Sequence, residues 1–121
     1  MGCCRFVAAP SVTLGETLTT DVILVYSNVP DLQLGKRLAH VLLEEGLAAC
    51  VNLGASMLSM YRWKGKIEGD EEILLMIKST TQQQDALIDA IKRLHPYEVP
   101  EILVVPVAAG LPAYLDWVRA E

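Results

Sequence analysis

Met57-Leu58-Ser59-Met60-Tyr61-Arg62-Trp63-Lys64-Gly65-Lys66 is the stretch that decides the fold. Its first seven residues suit an extended chain, and the two-residue Lys64-Gly65 break predicts a tight turn, so the chain returns on itself as a long hairpin. The return arm starts at Lys66, with a bend expected at Gly69, and runs through Ile73-Leu74-Leu75-Met76-Ile77 to Lys78. There Leu74 and Met76 alternate with Ile73, Leu75 and Ile77, so both faces of the arm are apolar and both need cover. On the incoming side, Ala48-Ala49-Cys50-Val51-Asn52-Leu53 reads as the strand that leads, past Gly54, into the hairpin.

Two strand–helix pairs flank this hairpin. Upstream, Val22-Ile23-Leu24-Val25-Tyr26 is a continuous apolar run suited to a central strand, ended by Ser27, Asn28 and Pro30. Asp31 is placed to N-cap a helix whose Leu34, Leu38, Val41 and Leu42 form one apolar stripe, with Gly46 as its stop. Downstream, Thr81 and Gln84 predict a capping box, and Gln84, Leu87, Ile88, Ile91 and Leu94 mark a second amphipathic helix that Pro96 terminates. His95-Pro96-Tyr97-Glu98-Val99-Pro100-Glu101 is then a stiff polar bend, because each proline biases the residue before it away from helical angles. Glu101 to Val107 is the fourth strand, with Pro106 marking an end, a bulge or an edge. Leu111 to Ala120 reads as a short helix with Pro112 in its first turn and Leu111, Tyr114, Leu115 and Val118 turned inward. The order β-α-β-β-α-β plus a C-terminal helix is α+β, the split β-α-β arrangement called ferredoxin-like. Both long helices should cover one face of the sheet. The other face, apolar on the third strand, then predicts self-association.

A chain of 121 residues fits one compact domain that needs no cofactor to fold. Apolar residues supply 52% of the sequence and aromatics only 6%, so the core is aliphatic. The net charge of −5 argues against a phosphate-binding surface, and nucleic acid is not an expected partner. No segment is long enough to span a membrane. Cys3, Cys4 and Cys50 have no disulfide-framework spacing, which fits a reducing, cytoplasmic setting. Residues 1–20 lack a sustained apolar period and are expected to be a loosely attached tail, with the domain over 21–121. Gly2 is a poor myristoylation site because Phe6 stands where Ser or Thr is required.

No phosphate loop, Cys-x-x-Cys pair, His-Glu-x-x-His helix or Gly-x-Ser-x-Gly elbow is present. The remaining candidates are His95, Glu98 and Glu101 at the bend, Lys78 at the end of the third strand, and Tyr61-Arg62-Trp63 before the turn. Each also has a plain structural reading. Tyr61 and Trp63 share one strand face and can pack a core or an interface; Glu98 can be solvated; Glu101 can pair with Lys78 at a sheet end. His40, on a helix flank, is assigned no role, and Cys50 reads as a small apolar filler.

Taken together, Ala48-Ala49-Cys50-Val51-Asn52, Ser59 to Lys66, Ile77-Lys78, His95 to Glu101 and Tyr114 to Trp117 resemble the CutA divalent-cation tolerance family over residues 21–119. The His-Pro-Tyr-x-x-Pro-Glu string and the Tyr-x-Trp-x-Gly hairpin carry most of that resemblance. It implies a homotrimer of ferredoxin-like subunits whose sheets meet around an axis, as in the PII signalling proteins. It also implies a non-enzymatic role in the response to divalent metals such as copper. In copper-binding members a cysteine at the end of the first strand and a pair of histidines before Pro-Tyr supply ligands, but this chain has Ser27 and Leu94-His95 there. Only His95 remains as a metal ligand, so copper binding is expected to be weak. The expected polar site consists of Ser59, Tyr61, Trp63, Lys78 and Glu101 near the subunit boundaries. A PII-like sensor of a small anionic metabolite, using Lys78 and Arg62, is the alternative. A hydrolase or isomerase with His95 or Glu101 as base is a third reading.

Overall fold

The structure, a computed structural model, describes residues 20–121. The expected tail and the cysteines within it therefore lie outside the described residues, apart from Thr20. Thr20 is tied to the fold, since its N–H and its hydroxyl both donate to the Val107 carbonyl, at 2.9 and 3.0 Å.

The elements are β1 (Val22–Val29), α1 (Leu32–Glu44), β2 (Cys50–Trp63), β3 (Lys66–Thr80), α2 (Gln84–Leu94), β4 (Ile102–Pro106) and α3 (Pro112–Ala120), with a single 3-10 turn at Thr81–Gln83. One antiparallel sheet has the order β2-β3-β1-β4, which is the ferredoxin-like arrangement. Strand β1 runs three residues further than expected. Ser27, Asn28 and Val29 stay extended because β3 pairs along all of them, and β4 pairs with Ser27 as well. Ladder bonds on both sides outweigh the turn preference of Ser and Asn.

Helix α1 starts as read: Asp31 Oδ1 accepts from the Leu34 N–H at 2.8 Å. Gly46 closes the segment at φ +72, where a side chain would be strained. The capping box expected from Thr81 and Gln84 does not form. Thr81 sits inside the 3-10 turn, its N–H donates to the Asp21 carbonyl, and α2 has no side-chain cap. At its other end α2 stops at Leu94, and His95 before Pro96 is extended (φ −82, ψ 138), as the proline demands.

The core lies between the two long helices and one sheet face. Ile23, Val25, Val29, Leu75 and Ile77 of the central strands meet Leu38 and Leu42 of α1 and Leu87 and Ile91 of α2. Val22, whose side chain takes the opposite side of the pleat from Ile23, packs instead with Leu115 and Val118 of α3. Helix α3 therefore covers one end of the face that the sequence left bare. Its inner surface is narrower than expected, because Leu111 and Tyr114 are exposed.

The hairpin turn has Lys64 at φ 51 and Gly65 at φ 79, the two positive values of a type I′ turn. The expected bend at Gly69 is absent, and Gly69 pairs regularly with Met60. The irregularity lies on the opposite strand. Leu53 faces Leu75 and Ser56 faces Ile73, so Gly54 and Ala55 together oppose Leu74, which is a β-bulge. Before the bulge, Asn52 pairs with Met76; after it, Met57 pairs with Glu72. The extra residue thus reverses which residues of β2 share a face with Met76 and Glu72. Ser59, Tyr61 and Trp63 consequently share the helix-free face with Glu68, Asp70 and Glu72.

Candidate functional site

The bend after α2 is anchored by His95, which is 7% exposed. Its Nδ1 accepts the Tyr97 N–H at 3.1 Å, so the ring proton lies on Nε2, which donates to the Asn28 carbonyl at 2.6 Å. Both nitrogens are therefore used to fasten the bend to the end of β1, and the Tyr97 ring packs 4.6 Å from the imidazole. The Asn28 side chain extends the same connection, with Nδ2 donating to Glu101 Oε1 at 3.1 Å.

Across from this bend stands the projecting hairpin, and between them opens a cleft of about 650 Å³. Ser59, Tyr61, Trp63, Asp70 and Glu72 form the hairpin wall, while Tyr97, Glu98, Val99 and Glu101 form the opposite one, with Asn28 also among the lining residues. The Tyr61 hydroxyl donates to Asp70, and the Tyr97 hydroxyl donates to Glu72 at 3.3 Å. Hydrogen bonding to Asp70, then burial and the charges of Asp70, Glu68 and Glu72, push the Tyr61 phenol up to about 12. Tyr97 is raised as well, first by burial and then by Glu72. Both shifts disfavour a phenolate, at Tyr61 chiefly through the hydrogen bond to Asp70 and at Tyr97 chiefly through burial, with the neighbouring carboxylates adding to each.

Of the expected ligand residues, Ser59, Tyr61, Trp63 and Glu101 come together here. Lys78 does not: its ammonium bonds Asn52 Oδ1. The expected Lys78–Glu101 proximity fails because β4 pairs with β1 rather than β3, and Lys78 lies opposite Leu24 while Glu101 reaches Asn28 at the far end of β1. Asn28, Asp70, Glu72 and Tyr97 were not singled out from the sequence. The alternation Glu68-x-Asp70-x-Glu72 did carry a signal, a run of carboxylates on one strand face, but only the hairpin register shows that this face is shared with Tyr61.

The positions matching family copper ligands do not converge into a metal site. Ser27 is fully enclosed on the core side of β1, its Oγ without a partner, and coordination through His95 would cost one of its two hydrogen bonds. Among the described residues no three His, Cys, Asp or Glu side chains are grouped so as to hold a metal ion. Away from the cleft, His40 is exposed and lies 3.4 Å from Glu44, and Cys50 is a partly buried free thiol. No helix among the described residues is long and apolar enough to cross a membrane.

The family model described as CutA1 divalent ion tolerance protein matches residues 23–121. The divalent-cation tolerance protein CutA of Thermus thermophilus is 44% identical over 99 residues, spanning 82% of this chain and 94% of that protein. The crystal structure of CutA from Xylella fastidiosa superposes with a TM-score of 0.80 at 44% identity, over 82% of this chain and 95% of that one. The Archaeoglobus fulgidus structure described as a periplasmic divalent cation tolerance protein CutA superposes with a TM-score of 0.77 at 35% identity, over 80% and 94%.

Proposed function

This chain belongs to the CutA1 divalent ion tolerance family, and on that footing we propose that it serves the response to divalent metal ions as a non-enzymatic binding protein. The observation that carries the reading is 44% identity to a divalent-cation tolerance protein along 82% of the chain, including the hairpin and the bend. The test is complementation. A bacterium lacking its own CutA, grown in graded Cu²⁺, Zn²⁺ and Cd²⁺, should regain tolerance to at least one ion when given the full chain. Unchanged sensitivity to all three would overturn the reading.

In this reading copper is held weakly, because Ser27 offers only an enclosed hydroxyl and both His95 nitrogens are already bonded. Calorimetric titration with Cu²⁺ should give micromolar or weaker affinity, little altered by Ser27→Ala. The anionic-metabolite alternative is not favoured, since Lys78 and Arg62 do not line the cleft and four carboxylates do.

The working form we propose is a homotrimer. Strands β2 and β4 are open edges, and the projecting hairpin exposes Leu58, Met60 and Ile67, more apolar surface than a lone subunit is expected to leave in water. Light scattering at micromolar concentration should return about three times the subunit mass; a stable monomer would refute this part alone. A cytoplasmic setting completes the proposal and is supported by the free thiol of Cys50. Cell fractionation tests it.

A further inference from the structure

The two long helices form the layer that the trimer proposed above leaves facing outward, and their surface charges are sorted by sign. Strand β1 leads into α1 beside the place where α2 leads into β4, and His95 at the end of α2 is bonded to the Asn28 carbonyl just ahead of α1. The start of α1 and the end of α2 therefore share the bend end of the molecule. Lys36 and Arg37 lie in the half of α1 nearer that end, with Lys92 and Arg93 in the last turn of α2, and all four are exposed. At the opposite end the Ser79 hydroxyl donates to the Leu47 carbonyl, joining the segment after α1 to the residues before α2. Glu44, Glu45 and Asp85 lie toward this end, with Asp89 at the middle of α2, and these four are exposed as well. The N-cap Asp31 is the exception to the sorting, and its Oδ1 is taken up by the Leu34 N–H. Among the described residues, His40–Glu44 is the one ion pair that involves any of these helix charges.

Helix α2 follows its own dipole, with Asp85 in the first turn and Lys92 and Arg93 in the last. Helix α1 runs against its dipole. It has no acidic residue in its first turn and no basic one in its last, and Glu44 and Glu45 stand where the free carbonyls already concentrate negative charge. Because the helices are antiparallel, an α1 that obeyed the rule would set opposite charges side by side at both ends. The observed order sets like beside like, which is unfavourable within the subunit on both counts. A second copy turned end for end offsets it, since its acidic end falls on this basic end and the reverse. A separate observation puts apolar surface in the same layer. Leu32 and Leu43, about three turns apart and so on one side of α1, are 44% and 43% exposed. An end-for-end partner brings Leu32 of one copy toward Leu43 of the other.

We propose that the helix layer is an interaction surface for the helix layer of a second copy of this chain, packed face to face about a two-fold axis that runs across the helices. Such an axis sets α1 on α1 and α2 on α2 in opposite directions, so the cations of each copy meet the carboxylates of the other and the contact is self-complementary. Composition agrees. In the layer four cations stand against four carboxylates and Asp31, whereas the whole chain carries −5, so most of the charge that repels copies from one another lies elsewhere. A uniformly acidic partner fits poorly, because it would gain the basic end only by facing Glu44, Glu45 and Asp85 as well.

The inference stands apart from metal tolerance, so failure of complementation would not touch it. The test is sedimentation velocity with the full chain at low and high salt, the mass at high salt defining the basic assembly whatever its number of subunits. Exposed ion pairs are individually weak, so association beyond that assembly is expected at about 0.1 mM subunit and above in about 20 mM NaCl. It should be roughly tenfold weaker at about 300 mM NaCl. Two variants carry the decisive comparison. Lys36→Glu with Arg37→Glu makes the α1 surface acidic throughout, and Glu44→Lys with Glu45→Lys makes it basic throughout. Each brings α1 closer to its dipole, so both should melt no lower than the parent. Each alone should lose the association, and an equimolar mixture should regain it. Each pair of reversals moves the net charge by four from −5, so both variants stay net negative and opposite net charge cannot be what restores the contact. A parent that does not associate in low salt, association indifferent to salt, either variant associating alone like the parent, or a mixture that stays apart would each overturn the proposal.

Discussion

Replacing His95 isolates the fastening that shapes the cleft. In His95→Ala the Asn28 carbonyl loses its donor inside the protein, at a cost of about 2 kcal/mol for an unsatisfied buried acceptor. The Tyr97 N–H loses its acceptor too, but it lies in an exposed bend where water can replace the nitrogen, so about 0.5 kcal/mol is expected there. Removing an imidazole that is only 7% exposed adds a packing and cavity loss of about 2 kcal/mol. The sum is about 4–5 kcal/mol. Two further variants separate the terms. A glutamine amide nitrogen falls near the place of Nε2, so His95→Gln keeps the Asn28 bond and should cost about 2 kcal/mol. An asparagine amide oxygen falls near the place of Nδ1, so His95→Asn keeps only the Tyr97 bond and should cost about 3–4 kcal/mol. The assay is urea unfolding at fixed protein concentration, since association and folding are linked in an oligomer. An alanine variant within about 1 kcal/mol of the parent, or asparagine tolerated better than glutamine, would refute the assigned roles of the two nitrogens.

Three other outcomes follow from particular contacts. Gly46→Ala should destabilise by about 1 kcal/mol, because φ +72 strains an L side chain although nothing crowds the site, whereas Gly69→Ala, with regular strand pairing and ordinary contacts, should be near neutral in the same urea assay. The hydrogen bond from Arg119 holds the Asp21 carboxyl below its ordinary range, so this contact's contribution is complete above the unfolded-state value and is lost as pH falls through the folded one. Arg119→Ala should bring the Asp21 midpoint back up in an NMR titration, and an unmoved midpoint would contradict the assignment. Asp70→Asn should lower the Tyr61 phenol from about 12 toward its ordinary value, read from phenolate absorbance in alkaline titration; no change would remove Asp70 as the leading cause.

Local chemistry made much of this fold readable. Asp31 caps a helix through its own side chain, Gly65 takes a positive φ that few residues tolerate, and Pro96 stops α2 whatever surrounds it. Where the reading erred, tertiary pairing had overridden local preference. Ser27 and Asn28 remain in strand because β3 lies beside them, and Thr81 is drawn away from capping by a hydrogen bond to Asp21. The expected contact of Lys78 with Glu101 failed for a related reason, since it depended on which strand β4 joins, and spacing along the chain does not specify that.

The character of the cleft depends on two small backbone features acting together. The Lys64-Gly65 turn sets Trp63 opposite Lys66 and hence Ser59 opposite Asp70. That pairing fixes which carboxylates accompany which aromatic rings, and β3, unbroken from Lys66 to Ile77, fixes the face they take. The bulge at Gly54 and Ala55 takes up the extra residue of β2 between the turn and the body of the sheet, so that Leu53 can face the core with Leu75 while Ser59, Tyr61 and Trp63 stay on the helix-free face. Were β2 to pair without the bulge at its present length, the turn would have to absorb the extra residue, and Leu58, Met60 and Arg62 would take the places of Ser59, Tyr61 and Trp63. The cleft would then exchange two aromatic side chains for an arginine. Its composition is therefore set as much by the bulge in β2 as by the acidic side chains of β3.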